Sequence, residues 1–351
     1  DADLLLIKWD LDGNQVWNAT WGGSAFEEGY RIWGDGNFLY TVGYTYSFGA
    51  GDADLLLIKW DLDGNQVWNA TWGGSALDRG MGVMGNKTFI YTIGWTYSFG
   101  AGEADWVLIK WRNDGIQIWN VTWGGAAKDW GYDIWIEGPF LYSTGTVNSF
   151  GAGSADLALV KWDLNGNRIW NVTWGGIGFD EGFTMWGENA YIYTLGWTRS
   201  SEPEGDMLLI KWNLDGQFLC TTWGGNAREQ GRGLWGNGTD IYTLGFTYSF
   251  GNGDADLMLI KYGSDSDNDG LLNELEMKKY MTDPFNPDTD NDTLTDGNEI
   301  LIYGTNATNP DTDGDGLNDG TEVLLYYTTV SYTHLRAHET SLHLVCRLLL
   351  E

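Results

Sequence analysis

The strongest constraint on this chain is an internal repeat of about 51 residues. The opening segment, DADLLLIKWDLDGNQVWNATWGG, returns almost unchanged at Asp52 and in altered form further along. The Trp of its Thr-Trp-Gly-Gly end recurs at intervals of 51, 51, 51 and 49 residues, at Trp21, Trp72, Trp123, Trp174 and Trp223. A fixed period of this length indicates one supersecondary unit used several times.

Each unit is predicted to contain four short strands. Those of the first unit are residues 4–10, 15–21, 30–33 and 38–46. Asp12-Gly13-Asn14 is a tight hairpin signal, and the loop 47–51 is expected to lead into the next unit. Four strands in about 50 residues, without helical periodicity, are typical of a β-propeller blade. We therefore predict an all-β fold, with five to six such units in residues 1–262.

The stretch from Gly22 to Asn69 is similar to the bacterial and archaeal seven-bladed β-propeller repeat family. That family has a pattern of Gly-Gly, an acidic residue, Gly, and then Asn-x-x-Tyr-x-x-Gly-x-Thr. The resemblance extends over residues 1–262, although this chain is unusually rich in Trp. It implies a propeller of a kind usually found in secreted or surface proteins, and it implies no particular activity.

After Tyr262 the composition changes to a densely acidic segment. Residues 265–322 contain 16 Asp and Glu against two Lys. Three similar stretches, DSDNDGLLNELE, DTDNDTLTDGNE and DTDGDGLNDGTE, begin at Asp265, Asp288 and Asp311, each 23 residues after the last. Each fits a twelve-position calcium loop, because Ca²⁺ takes six to eight oxygen ligands, here from positions 1, 3, 5, 7, 9 and 12.

The predicted ligands fall at equivalent positions in the three loops, with position 7 contributing a backbone carbonyl. In the first loop they are Asp265, Asp267, Asp269, Leu271, Asn273 and Glu276. In the second they are Asp288, Asp290, Asp292, Leu294, Asp296 and Glu299. In the third they are Asp311, Asp313, Asp315, Leu317, Asp319 and Glu322. The alternative, a solvated acidic linker, does not explain three loops in register.

Position 6 of such a loop needs a residue that tolerates a sharp turn. Gly270 and Gly316 supply it in the first and third loops, whereas Thr293 replaces Gly in the second. We therefore expect the middle site to be the weakest or the most distorted.

The short spacing between loops leaves no room for the paired helices of a helix-loop-helix domain. The segment instead resembles the thrombospondin type-3 repeats, including their prokaryotic versions. Thr282-Asp283-Pro284, Asn286-Pro287-Asp288 and Asn309-Pro310-Asp311 match the joints between those repeats. The resemblance implies a calcium-wrapped stalk with little apolar core, which is predicted for residues 263–329 and should be largely unfolded without metal.

The C-terminal residues break the 23-residue period. The next loop would begin at position 334, which is His334, and the phase is lost by Val330. Residues 330–351 are similar to translated adapter sequence at the ends of proteins assembled from metagenomic reads. We expect them not to be native sequence, and a short amphipathic docking helix is the alternative. The chain also begins at Asp1 without Met, so we expect the true N-terminus to be missing.

Without that tail, the chain contains no His and a single Cys, Cys220. This composition excludes Ser-His-Asp and Cys-His catalytic sites and a His-ligated zinc site. Carboxylate chemistry remains. One acid follows the Gly-Gly corner of each unit: Glu27, Asp78, Asp129, Asp180 and Glu229. These acids could bind a cation or sugar hydroxyls on one propeller face. Since they recur in every unit, we favour a structural role, accepting backbone N–H bonds at the turn.

A row of Trp residues and a set of Asn-x-Thr sequons also recur along the chain. The Trp row at Trp9, Trp60, Trp111, Trp162 and Trp212 is predicted to pack between blades, and a minority of Trp side chains could stack on sugar rings. Asn-x-Thr sequons, compatible with a glycoprotein, occur at Asn18, Asn69, Asn86, Asn120, Asn171, Asn237, Asn291 and Asn306.

The sequence as a whole predicts a secreted or cell-surface, non-enzymatic calcium-binding protein. Its propeller would act as a binding, adhesion or structural module, with carbohydrate or another surface protein as a partner. A net charge of −30 argues against nucleic acid, and no apolar run is long enough to span a membrane. The alternative is an extracellular propeller enzyme, either polysaccharide-cleaving or quinone-dependent. Asp-Gly-Asn-x-x-Trp is similar to a quinoprotein motif, and Arg228 and Arg232 come nearest to breaking the symmetry.

Overall fold

A computed structural model describes residues 2–200, 204–238, 240–263, 265, 267, 269–271 and 273–323, apart from the side chains of Glu274 and Lys278. Contacts divide the chain into two compact units, residues 1–203 and 204–351. The predicted non-native tail, residues 330–351, lies outside the described residues.

The first unit is entirely β-structure in its described part. Its first hairpin consists of β1 (Leu4–Trp9) and β2 (Gln15–Trp21). The next sheet consists of β3 (Glu27–Gly34), β4 (Phe38–Thr45), β5 (Asp54–Asp61) and β6 (Gln66–Trp72). It is followed by β7 (Asp78–Gly85), β8 (Phe89–Thr96), β9 (Asp105–Arg112) and β10 (Gln117–Trp123). The remaining strands are β11 (Asp129–Glu137), β12 (Phe140–Val147), β13 (Asp156–Asp163), β14 (Arg168–Trp174), β15 (Asp180–Glu188) and β16 (Tyr191–Thr198).

The sheets confirm the prediction of four-stranded antiparallel blades. Strands β3 to β6, β7 to β10 and β11 to β14 each form one sheet, with neighbours in the chain paired. The predicted division between units was wrong, however. The loop 46–53 connects two strands of the same sheet, because β4 and β5 are paired. The chain passes from one sheet to the next at Gly73-Gly74, so each blade combines two strands from each of two sequence repeats.

The central strands of each blade are covered on both faces. All residues of β5 except the last are buried, as are most of β9 and β13. Leu55 and Leu57 of one blade join Val107 and Ile109 of the next in one apolar cluster. A strand buried on both faces reads as a continuous apolar run, which explains the LLLIKW pattern.

The recurring Trp of these strands is a packing residue, as predicted. Trp60, Trp111, Trp162 and Trp212 are buried, whereas Trp9, in the terminal hairpin, is 56% exposed. The indole Nε1–H of Trp60 donates to Thr41 Oγ1 at 3.0 Å, and that of Trp111 donates to Thr92 Oγ1 at 2.9 Å. Each ring therefore fills the space between sheets and also satisfies its polar atom.

The first strands of successive blades lie next to one another. Strand β7 contacts β3 and β11, and β11 contacts β15. Arg31 of β3 forms an ion pair with Asp133 of β11 at 3.0 Å, and Thr184 of β15 donates to the same carboxylate at 2.8 Å. These are the inner strands. The last strands, such as β6 and β10, are mostly exposed on one face and carry the sequons Asn69 and Asn120.

The second unit contains the remaining strands and the acidic segment. Its strands are β17 (Asp206–Asn213), β18 (Phe218–Trp223), β19 (Glu229–Gly236), β20 (Ile241–Thr247) and β21 (Asp256–Tyr262). Strands β17 and β18 pair, and β19, β20 and β21 form a sheet in that order. No strand follows Tyr262 among the described residues.

The acidic segment consists of loops and single helical turns. The α-helical turns are α1 (Asn273–Leu275), α2 (Asp296–Asn298) and α3 (Asp319–Thr321). The first two continue as π-helical turns over Glu276–Tyr280 and Glu299–Tyr303. Among the described residues, no helix has the length and apolar character needed to cross a membrane.

Replacing Gly94 by Ala should destabilise the first unit. A Cβ at Gly94 would lie 1.8 Å from the backbone oxygen of Arg79, so two paired strands would have to separate. We expect a loss of about 2 kcal/mol, in the range typical of overpacking, measured by thermal and denaturant unfolding. Gly253→Ala is the matched control, since a Cβ at that position would have no atom within 4 Å. Equal stability of the two variants would contradict this close approach.

Candidate calcium site

The backbone of the three acidic loops is organised by their own aspartates. In the second loop, Asp288 accepts from the N–H groups of Asp292 at 3.1 Å and Thr293 at 3.0 Å. In the third, Asp311 accepts from Asp315 at 3.2 Å and Gly316 at 2.9 Å. The first residue of each loop therefore folds the backbone around itself by Asx-type hydrogen bonds.

Position 6 has a left-handed backbone in every loop. The φ angles are 108° at Gly270, 87° at Thr293 and 96° at Gly316. Thr293 keeps the hydrogen bond made by its glycine counterparts, so the second loop has the same fold as the others. The substitution instead imposes an unfavourable conformation on a β-branched residue.

The aspartates at positions 1, 3 and 5 converge in each loop. Their carboxylate oxygens lie within 4.8 Å of one another in three clusters: Asp265, Asp267 and Asp269; Asp288, Asp290 and Asp292; and Asp311, Asp313 and Asp315. The structure thus brings together nine of the predicted ligands. The third cluster is the most exposed of the three.

The aspartates at position 9 lie with the preceding loop, which corrects their predicted placement. Asp296 is grouped with Asp269 and Glu276, and Asp319 is grouped with Asp292 and Glu299. The cause is the short helix that begins at position 9. It sits against the loop before it, where Gly297 N–H donates to Asp269 at 2.8 Å.

The second residue of the second and third loops holds this arrangement in place. Thr289 donates its N–H and its hydroxyl to the two oxygens of Asp296, at 2.7 and 2.6 Å. Thr312 bonds both oxygens of Asp319 in the same way, at 3.1 and 2.6 Å. Sequence reasoning missed these threonines, although their recurrence 23 residues apart was a usable signal.

The glutamates at position 12 are buried with one oxygen unsatisfied. Glu276 and Glu299 are fully buried and Glu322 is 4% exposed. The Oε2 atom of each is buried and has no hydrogen-bond partner in the part of the chain that the structure describes. Thr282 and Thr305 donate to the Oε1 atoms of Glu276 and Glu299, at 3.4 and 3.1 Å. These two threonines fix the glutamates through Oε1, so the Oε2 atoms remain free of that bond.

Burial and mutual repulsion disfavour the ionised carboxylates. Burial, reinforced by neighbouring aspartates, raises the pKa of Glu276 and that of Glu299 to about 8. Burial also raises the pKa of Asp269 to about 7 and that of Asp290 to about 6. Carboxylates held together in this way need a cation in order to remain ionised near neutral pH.

The remaining predicted ligands are Asn273 and the three residues at position 7. Asn273 begins α1, at the position where Asp296 begins α2. The side chains of Leu271 and Leu294 are buried, whereas that of Leu317 is 42% exposed. The leucine side chains therefore add packing in the first two loops. The prediction for position 7 concerned only the backbone carbonyl.

Lys211 is a further residue at the first loop that sequence reasoning did not identify. It forms an ion pair with Asp265, and both side chains are largely buried. In the first unit, Lys59 donates to the carbonyl of Asn113 and Lys110 to that of Leu164, each 54 residues ahead. Asp265 also lies 54 residues after Lys211, so the first calcium loop occupies the position of the next hairpin turn.

The recurring acids of the blades have a different role. Glu27, Asp78, Asp129, Asp180 and Glu229 are at most 2% exposed. Asp78, for example, accepts from Gly74 N–H at 2.7 Å and Ser98 Oγ at 2.7 Å, and also from the Thr96 hydroxyl. Equivalent bonds from the backbone at the corner recur in the other blades. Their oxygens are used inside the protein, which supports the structural interpretation over ligand binding.

The donor set of the acidic segment fits Ca²⁺. Within the described part of the acidic segment, the buried carboxylate oxygens without a hydrogen-bond partner all belong to predicted ligands, among them Asp265 Oδ1, Asp267 Oδ2 and Asp290 Oδ2. Converging carboxylate oxygens, without nitrogen or sulfur, are the ligands of a hard cation that accepts six to eight oxygens. Bound there, the ion would neutralise carboxylates and fix the loops.

The acidic segment matches the family model described as the bacterial TSP3 repeat, over residues 265–287 and 311–325. The intervening loop, with Thr293 at position 6, is not part of the match. No curated protein sequence matches the chain.

Solved structures similar to the chain share little sequence with it. An N11 neuraminidase-like protein from an influenza virus of a flat-faced bat has 10% identity over 66% of this chain and 72% of its own, with a TM-score of 0.34. A putative 6-phosphogluconolactonase from Bacteroides uniformis has 13% identity over 65% and 68%, with a TM-score of 0.38. A lignostilbene dioxygenase from Pseudomonas brassicacearum has 12% identity over 64% and 57%, with a TM-score of 0.36.

Calcium binding should release protons near neutral pH. With a pKa of about 8, Glu276 and Glu299 are mostly protonated at pH 7 in the metal-free fold and must ionise to bind the ion. Because the pKa values of these glutamates are raised above the ordinary value for Glu, their protonation stabilises the metal-free fold at low pH. That contribution is lost as the pH rises to about 8, whereas calcium affinity increases over the same range. Titration calorimetry in buffers of different ionisation enthalpy measures the release, and zero release at pH 7 would contradict it.

Thr293→Gly should strengthen calcium binding by the second loop. Glycine removes the cost of a left-handed β-branched residue, about 1 kcal/mol, which corresponds to roughly fivefold in affinity. The reciprocal change, Gly316→Thr, should weaken the third loop. Thr293→Ala is the control, because alanine at a φ of 87° remains strained. Calcium titration of the four proteins tests this, and equal affinity of Thr293→Ala and Thr293→Gly would count against it.

Proposed function

We propose that this is a secreted or cell-surface, non-enzymatic calcium-binding protein. Its blades would form a binding, adhesion or structural module, and the acidic segment would become ordered when it binds calcium. The observation that carries the proposal is the set of buried, unpartnered carboxylate oxygens that recurs in the loops. An isolated buried carboxylate is costly, and the same residues become favourable when they share a divalent cation.

The extracellular location is inferred from calcium supply. Loops of this type in extracellular modules work at millimolar calcium, whereas cytosolic calcium is too scarce to fill weak sites. Strained loops such as the second one are expected to be weak. The exposed sequons Asn18, Asn69 and Asn120, repeated on the outer strands, are compatible with glycosylation in such a location.

The proposed role of the blades rests on their rigidity and repetition. Buried Trp rings and corner carboxylates fix the sheets, so the inner strands present side chains at set positions. Carbohydrate or another surface protein is the proposed partner. The competing function is an extracellular propeller enzyme, for which turnover of a bound polysaccharide would be the distinguishing result.

Calcium removal should loosen the acidic segment and leave the blades unchanged. Hydrogen-exchange mass spectrometry with calcium or with EGTA should show faster exchange in residues 265–323 in EGTA, because repulsion between the carboxylates is no longer neutralised. Residues 4–200 should exchange equally in both conditions.

A double variant tests whether the glutamates are responsible. Glu276→Gln with Glu299→Gln should abolish most of the protection by calcium, whereas Asp63→Asn, at an exposed hairpin turn, should keep it. If wild-type exchange were identical with calcium and with EGTA, the calcium-binding function would be refuted.

A further inference from the structure

An open pocket of about 300 Å³ lies beside two neighbouring inner strands, β7 and β11. Its walls are formed mainly by Arg79, Met81, Trp95, Tyr97, Trp130 and Tyr132. Trp95 and Tyr97 lie edge to face, with ring centroids 5.6 Å apart. Trp130 and Tyr132 are half-buried, so parts of their side chains face the pocket. A concave aromatic surface with one strong hydrogen-bond donor is typical of a small-molecule site.

The repeat varies at positions that line this pocket. Residues 1–25 and 52–76 are identical, and the acid that begins each inner strand recurs in every unit. The next position is occupied by a different type of residue in most units: Glu28, Arg79, Trp130, Glu181 and Gln230. The residue paired with it on the following strand also changes, from Tyr44 opposite Glu28 to Trp95 opposite Arg79. The scaffold is constant while these side chains vary, so packing of the blade does not dictate them.

Arg79 is held by aromatic rings, and no carboxylate of the described residues forms a direct ion pair with it. Its guanidinium carbon lies 4.1 Å from the ring centroid of Tyr44 and 5.2 Å from that of Trp95. Its Nη1 donates weakly to the hydroxyl of Tyr30 at 3.4 Å. The nearby Glu28 accepts instead from the hydroxyls of Tyr30 and Tyr44. Arg79 Nε is buried and has no hydrogen-bond partner among the described residues. Arg79 also lines the pocket, so its side chain would lie beside a ligand bound there.

We propose that this pocket binds a neutral pyranose unit of an oligosaccharide or polysaccharide. The apolar C–H face of such a ring would lie on Trp130, since the partly positive C–H groups complement the negative face of an aromatic ring. A hydroxyl of the sugar would accept from Arg79. The cation at the pocket argues against a cationic ligand. The net charge of −30 opposes approach of an anionic polymer.

This inference rests on the proposed function of the blades as a binding module, and it is independent of calcium binding. The experiment therefore uses the full chain in EGTA as well as in calcium. Intrinsic Trp fluorescence and titration calorimetry would measure binding of gluco-, manno- and galacto-hexasaccharides, with polygalacturonate as the anionic comparison.

At least one neutral hexasaccharide should bind, with the same affinity in EGTA and in calcium. Trp130→Ala should weaken that binding about tenfold or more, and Arg79→Gln should weaken it by a smaller factor. Trp9→Ala removes an exposed Trp outside the pocket and should have no effect. If Trp130→Ala does not fold, Trp130→Phe keeps a flat aromatic face and should retain most of the affinity.

Three results would overturn the assignment: no neutral sugar binds, only polygalacturonate binds, or a folded Trp130→Ala binds like the wild type. Release of shorter sugars during the titration would support the pocket while refuting the non-enzymatic part of the proposed function. Normal sugar binding by a protein that shows no calcium response would refute the calcium function alone.

Discussion

The blades depend on one buried carboxylate at each corner where the chain enters an inner strand. Asp78 binds the N–H of Gly74 on one side of the corner and the hydroxyls of Thr96 and Ser98 on the other. It therefore joins the end of one blade to the first two strands of the next. The backbone N–H of Asp78 also donates to the carbonyl of Ala53 at 2.7 Å, which links the same corner to the preceding sheet. Burial makes each of these bonds hard to replace by water.

Buried carboxylates have different surroundings in the blades and in the acidic loops. Corner acids such as Asp129 are surrounded by donors, so their charge is compensated within the protein. The glutamates of the acidic loops, such as Glu299, are equally buried, but burial and the surrounding aspartates together raise their pKa. The corner acids are therefore satisfied by donors of the protein itself, whereas the second oxygen of each loop glutamate has no donor among the described residues, which fits a cation site. An acidic composition alone does not distinguish these cases, and the density of donors around each acid does.

The strands were largely predictable from sequence because their signals are local. The hairpin turn at Gly13 and the predicted strand 15–21 agree with the structure, since turn residues and apolar patterns act over a few residues. The division into sheets was not predictable in this way. The pairing of β4 with β5 across the loop 46–53 is not encoded by a local signal. A periodic sequence also does not mark the residue at which a blade begins. The sequence period gives the length of the unit and leaves its phase open.

The position-9 aspartates illustrate the same limit in the calcium segment. The twelve-residue pattern assigns Asp296 to its own loop because the pattern contains only local spacing. The structure groups it with Asp269 and Glu276, because Gly297 allows the short helix to approach the preceding loop closely; a Cβ there would lie 2.1 Å from the carbonyl oxygen of Asp269. Asp269 belongs to two clusters as a result, and so does Asp292. A cation that ordered one loop would therefore also position a carboxylate of the adjoining cluster, so the three loops would not act as isolated cation sites.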